Sequence, residues 1–222
     1  MRSLSASHPC QRTTPFVRKQ TRTATKTQIG SLFGGITANK RKKELMMDIL
    51  SVVENSERGT LTSQQDMKLL RGFFSELGDI AASDPLQNPS AVNGTWKLLW
   101  TSEKEILFII KKNGLANWCG TESGNVYQVI DLNKNRLQNC IEFPPEGAFI
   151  VDSFIEYDSE SKRCSFEFQG ARLRVPNNRE FTLPPVGKST FKTLFVDSKY
   201  RIAEDARGDF LIVERVGPPR VF

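Results

Sequence analysis

The residue types that carry most protein chemistry are scarce in this sequence. Among 222 residues there is one histidine, His8, and there are four cysteines, Cys10, Cys119, Cys140 and Cys164. Ser-His-Asp and Cys-His catalysis need an imidazole to take a proton, and the usual zinc hydrolases need imidazole ligands. Removal of a leader covering residues 1–35 would take His8 and Cys10 with it and leave no histidine at all. The remaining cysteines are odd in number, widely spaced and without Cys-x-x-Cys, which is not a structural metal pattern. Cys140 and Cys164 each fall in strand-like sequence and read as buried free thiols, with a disulfide between neighbouring strands as the alternative. Asp131, Asp152, Glu156, Asp197 and Arg201 are the acid–base candidates, but no pair has the spacing of a recognisable site. No catalytic residue, cofactor or metal is expected.

Apolar contact is the chemistry that the residues do offer. Fifteen phenylalanines, three tryptophans and three tyrosines are present, and most of the phenylalanines fall in strand-like stretches. An inward face built from Trp100, Tyr127, Phe143, Phe154 and Phe166 would give an extended apolar molecule contact area with little polar anchoring. Trp96 is expected at a closed end beneath a cation, with Arg201 the first choice and Arg215 the second.

The element that must position these groups starts at Asn93-Gly94-Thr95-Trp96-Lys97-Leu98-Leu99-Trp100-Thr101-Ser102. Trp96, Leu98 and Trp100 alternate with polar or outward positions, a period of two that predicts a half-buried strand. Gly94 precedes it where a side chain would obstruct a close backbone approach. Short strands then follow almost without interruption: Val126–Asp131, Arg136–Phe143, Phe149–Tyr157, Arg163–Gly170, Arg172–Val175, Phe181–Leu183, Phe191–Asp197, Tyr200–Glu204 and Asp209–Val216. Asn133-Lys134-Asn135 is a hairpin-type turn, and the stretch around Ile106–Ile110 fits either a strand or a helix. Nine or ten short strands with tight connections and no crossover helices close into an antiparallel barrel or a strongly curved half-barrel.

Two helical stretches precede the strands. Leu45, Met46, Ile49, Leu50, Val52 and Val53 form one stripe; Met67, Leu69, Leu70, Phe73, Phe74, Leu77 and Ile80 form another after a Ser63 cap. Both are too apolar to stand free. They pack against the sheet or cover one barrel mouth. The expected organisation is a leader at 1–35, a helical segment at 39–83, a barrel at 91–216 and a tail at 217–222.

Charge is divided unevenly along the chain. Residues 1–43 hold ten Lys or Arg and no acid, whereas the rest carries 21 basic against 25 acidic residues. The folded part therefore lacks the basic face that nucleic acid requires. The first 35 residues are basic, acid-free, rich in Ser and Thr, and lack a secretory apolar core, a composition that reads as a chloroplast transit peptide. No run approaches the ~20 apolar residues of a membrane-spanning helix.

From about Asn39 to Val216 the chain resembles the plastid lipid-associated protein family, also called fibrillins. The resemblance lies in Gly94-Thr95-Trp96-Lys97-Leu98-Leu99-Trp100-Thr101-Ser102, in Val126-Tyr127-Gln128-Val129-Ile130-Asp131 followed by Asn139, and in Phe195-Val196-Asp197 with Arg201-Ile202 and Gly208. Two departures stand out: Ala203-Glu204-Asp205-Ala206 replaces the family's Ser-Arg-Gly-Asp, and Trp100 replaces a commoner Tyr. The resemblance implies a lipocalin-like fold in plastids, associated with thylakoids or plastoglobules. Its implied partners are lipophilic molecules such as prenyl or fatty acyl lipids, together with a peripheral membrane or lipid-droplet surface. The alternatives are a scaffold for another plastid protein and, less favoured, a lipid-modifying enzyme in the same barrel.

Overall fold

The computed structural model describes residues 26–83, 88–118, 120–175, 179–184 and 187–222. His8, Cys10, most of the expected leader, the Asp84-Pro85 connection and Cys119 lie outside them.

Nine strands form one antiparallel sheet: β1 (Gly94–Thr101), β2 (Val126–Asp131), β3 (Arg136–Phe143), β4 (Gly147–Asp158), β5 (Arg163–Val175), β6 (Arg179–Leu183), β7 (Lys188–Val196), β8 (Tyr200–Asp205) and β9 (Phe210–Gly217). β1 bonds to both β2 and β9, and β4 bonds to β5 along its whole length, so the sheet closes into an eight-stranded barrel. Closure removes the free edges that an open sheet would present. β6 is not part of the ring; it pairs only with the far end of β5, from Ala171 to Val175, and extends the wall as a hairpin. The two stretches read as separate strands around Gly170 are one strand, β5. Asn135 adopts the left-handed conformation, φ 51°, that the tight β2–β3 turn requires.

The barrel's interior is one apolar cluster. Val92, Trp96, Ile130, Leu137 and Ile155 close one end, and inward residues of every ring strand pack above them. Helix α1 (Lys26–Val53) and helix α2 (Gln64–Ser83) belong to a second cluster on the barrel's outer wall. Leu45, Ile49, Leu70, Phe74 and Leu77 meet Trp100, Leu194, Ile202, Phe210 and Ile212 there. The helices are therefore wall packing and do not cover a mouth. The first ten residues of α1, 26–35, fall within the expected leader. Ser63 Oγ accepts from the Asp66 amide at 3.0 Å and donates to the Asp66 carboxylate at 2.7 Å, which caps α2. Arg41 bonds Glu76 through two nitrogens, at 2.7 and 2.9 Å, and holds the helices side by side. Gly59, at φ 109°, lets this helical unit approach β1 closely, since a Cβ there would overlap the Thr101 carbonyl oxygen.

The ambiguous apolar run is a helix, α3 (Lys104–Ile110), followed by the single turn α4 (Leu115–Trp118). Ile110 and Ala116 are buried in the barrel cluster, with Ile106, Leu107 and Ile109 packed against it. This pair, not α1 and α2, covers the barrel.

Candidate functional site

A cavity of about 940 Å³ occupies the barrel between the closed end and α3. That is the upper part of the ~300–1,000 Å³ range of small-ligand sites. Leu98, Ile141, Phe149, Phe166, Phe168 and Phe191 supply apolar wall, and Ile106 and Ile109 of α3 lie over it. Phe166 and Phe168 meet edge to face at 5.5 Å, and Phe166 lies 6.2 Å from Phe191. These rings form one continuous aromatic side.

The floor centres on Trp96, which is fully buried and donates its indole N–H to the Val92 carbonyl at 2.8 Å. Two guanidinium groups approach its ring, Arg215 at 4.0 Å and Arg201 at 5.3 Å. The order is thus the reverse of the expected one. Gly94 makes the nearer contact possible, because a Cβ there would overlap Arg215 Nη1. Arg215 is also anchored by donation to the Asn93 carbonyl and, at 2.7 Å, to the Ala91 carbonyl.

Arg201 is the buried cation of the cavity. Its side chain is 0% exposed, yet it lines the cavity, and its Nη2 donates to Gln128 Oε1. Gln128 Nε2 passes the chain on to Asn139 Oδ1 at 3.2 Å. Nε and Nη1 of Arg201 have no hydrogen-bond partner among the described residues. Burial pulls the guanidinium down to about 10, with Arg215's charge adding to the effect, so it still carries its proton at neutral pH. Little polar anchoring is expected from the sequence, and this pocket holds a buried cation with free donors.

Charges ring the other end. Arg207, in the β8–β9 turn, bonds Glu105 of α3 at 2.6 and 3.1 Å and Asp205 at 3.1 Å, and lies 3.8 Å from Asp209. This clasp ties α3 to the barrel rim. Glu103, half-buried beside it, has its carboxyl pushed up to about 7 by burial first and then by the Asp205 carboxylate, against the opposing charge of Arg207.

The seven candidate residues separate into three groups. Phe166, Arg201, Tyr127 and Phe154 are among the residues that line the cavity. Trp96 and Phe143 lie in the packed core around it. Trp100 lies on the outer wall, against the helices. A β-bulge explains Trp100: Leu98 pairs with Val213 and Trp100 with Ile212, so Leu99 is an extra residue and the alternation reverses after it. Trp100 therefore faces the helices, 5.9 Å from Phe74, and donates to Thr62 Oγ1 at 2.8 Å. Tyr127 sits between inward Val126 and Gln128 and stacks on Phe222 of the C-terminal tail at 5.0 Å. Phe154 precedes inward Ile155 and stays 38% exposed. Phe149, Phe168, Phe191, Gln128 and Asn139 were not singled out, although strict alternation from Ile141 and Val126 marks Asn139 and Gln128 as inward.

The acid–base candidates do not converge. Asp152 bonds Gln138 and Arg172, Asp197 accepts amides of its own turn from Lys199 and Tyr200, Asp131 lies near Lys134, and Glu156 is exposed. Cys140 is on the outer face with Ala148 and Ile150, whereas Cys164 is inside. Both are free thiols, and burial pushes them up to about 12 and about 11, so neither ionises readily.

The sequence matches the PAP_fibrillin family over residues 42–214. It is 38% identical over 203 residues to the "Probable plastid-lipid-associated protein 11, chloroplastic" of Arabidopsis thaliana, covering 90% of each chain. No solved structure matches it. With a family match that begins in α1 and ends in β9, and a relative that shares nearly its whole length, the chain belongs to the PAP_fibrillin family.

Proposed function

We propose that this protein binds one extended lipophilic molecule, a prenyl or acyl lipid, inside its barrel, and works in plastids at thylakoid or plastoglobule surfaces once residues 1–35 have been removed. The observation that carries the reading is the 940 Å³ cavity with its aromatic wall. Burying roughly 300 Å² of ligand apolar surface is worth about 7 kcal/mol before association costs, at ~25 cal/mol per Å². The name of the Arabidopsis relative, a plastid-lipid-associated and chloroplastic protein, supports both the lipid and the compartment. The acid-free, hydroxyl-rich start of the chain supports import.

Organic extraction of the protein purified from plastids, followed by mass spectrometry of extract and chain, tests the reading. A stoichiometric prenyl or acyl lipid and a chain starting after about residue 35 are expected; a protein that carries no lipid, and takes up none when offered, overturns it. One observation favours a second, scaffolding role. β6 is an edge strand exposed along its length, with Phe181 and Leu183 displayed to solvent. A plastid protein captured through this hairpin by a lipid-free barrel would support that role instead.

A further inference from the structure

The lipid-binding reading leaves open which end of the ligand enters first and what the buried cation does. Arg201 lies on the floor of the cavity, against Trp96 and, at 5.4 Å, the ring of Phe191. The rim residue Asp205 is four positions further along β8, roughly 13 Å at ~3.3 Å per residue. Among the described residues no carboxylate bonds Arg201, and its single protein acceptor is the neutral Gln128 amide oxygen. A buried charge without a counter-ion is costly unless something pairs with it.

The guanidinium presents two edges that can each grip a pair of oxygens, and both edges share Nη2. Gln128 accepts one of the two Nη2 hydrogens, while Nε and Nη1 remain unpartnered. Whichever hydrogen Gln128 takes, one edge keeps both of its parallel N–H donors. Such a fork matches the two oxygens of a carboxylate. The charge also matches: one cation at the floor neutralises one anion. Arg215 is turned away to backbone carbonyls, and the other cavity-lining cations lie at the rim, Lys188 at the start of β7 and Arg207 in the β8–β9 turn. A dianionic phosphate would find no second cation at that depth. The wall between floor and rim, with Phe149, Phe166 and Phe168, suits one unbranched chain.

Resting on the lipid-binding reading, we propose that the ligand is a single-chain lipid carboxylate that binds head-in, its carboxylate on Arg201 and its chain running out beneath α3. Gln128 and Asn139 are positioning residues that hold the guanidinium against the wall.

The test compares hexadecanoic acid with its methyl ester on the full chain at pH 8, by calorimetry or by displacement of a fluorescent probe. The acid should bind at least ten-fold tighter than the ester. R201Q should bring the acid to the level of the ester. N139D sets a competing carboxylate beside the Arg201–Gln128 pair without removing the buried arginine, so it keeps the test decisive if R201Q does not fold; it should weaken the acid selectively. Equal affinity for acid and ester in the wild type overturns the head-in carboxylate while lipid binding stands. Binding of neither overturns both.

Discussion

Arg215 stacks its guanidinium 4.0 Å from the centre of the Trp96 ring, and the residue that admits it is Gly94, two positions before that tryptophan. The Gly-x-Trp spacing is thus a three-body arrangement: an absent side chain, a cation, and a ring that closes the barrel. Arg215 cannot simply swing aside, because the Ala91 and Asn93 carbonyls hold it. G94A should destabilise the fold by about 1 to 3 kcal/mol, the usual cost of overpacking a filled site. W96A should cost about 3 to 5 kcal/mol as a large-to-small core change. Urea titration of both variants checks this. A W96A midpoint equal to that of the wild type would mean that the floor does not depend on the ring.

Glu103 makes stability depend on pH in a stated direction. Its carboxyl holds a proton up to about 7 in the folded protein, against an ordinary value of 4.5. A folded value above the unfolded one contributes stability that is fully present below about 4.5 and is lost as pH rises through about 7. Gln mimics the protonated form, so E103Q should match the wild type at pH 4.5 and exceed it at pH 8. The upper limit is about 3 kcal/mol at ~1.36 per pH unit, and partial exposure reduces it to about 1 to 2. Melting curves at the two pH values decide. A constant offset would show that Glu103 is ionised throughout.

Much of the barrel was legible because its determinants are local. Period-two alternation marks each strand, and turn residues such as Asn135, at φ 51°, mark the hairpins. What escaped is set by contacts between distant segments. The bulge at Leu99 depends on how β1 registers against β9, more than 100 residues later, and it alone sends Trp100 to the helices. Ile106–Ile110 contains five consecutive apolar residues, which fit a helix or a strand until the rim clasp through Arg207 and Glu105 places them. Arg201 could be named from the sequence, but its two unpartnered donors could not, since those are a property of every side chain around it.

The clasp itself predicts a kinetic phenotype. Exposed ion pairs such as Arg207–Glu105 are worth little to stability, about 0 to 1 kcal/mol. Their position matters more, because they fix α3 over the cavity. R207A should therefore leave the melting temperature nearly unchanged while speeding ligand release several-fold. Stopped-flow dissociation of a bound fluorescent acyl probe measures it. Unchanged release with R207A would mean that ligands leave by a path other than the α3 rim.

Ionic strength separates a ligand held in the barrel from one held on the surface. A charge pair at the Arg201 depth is shielded from bulk ions, whereas exposed charges further apart than a Debye length, ~8 Å at physiological salt, are largely screened. Most of the affinity also comes from apolar surface that salt does not weaken, and burial of that surface on binding gives a negative heat-capacity change. Acyl-probe affinity should accordingly change by less than about two-fold between 20 and 500 mM salt, even though the preferred ligand is charged, with heat capacity falling on binding. Affinity that collapses in salt would point instead to headgroups on the basic run Lys40 to Lys43, at the start of the packed part of α1.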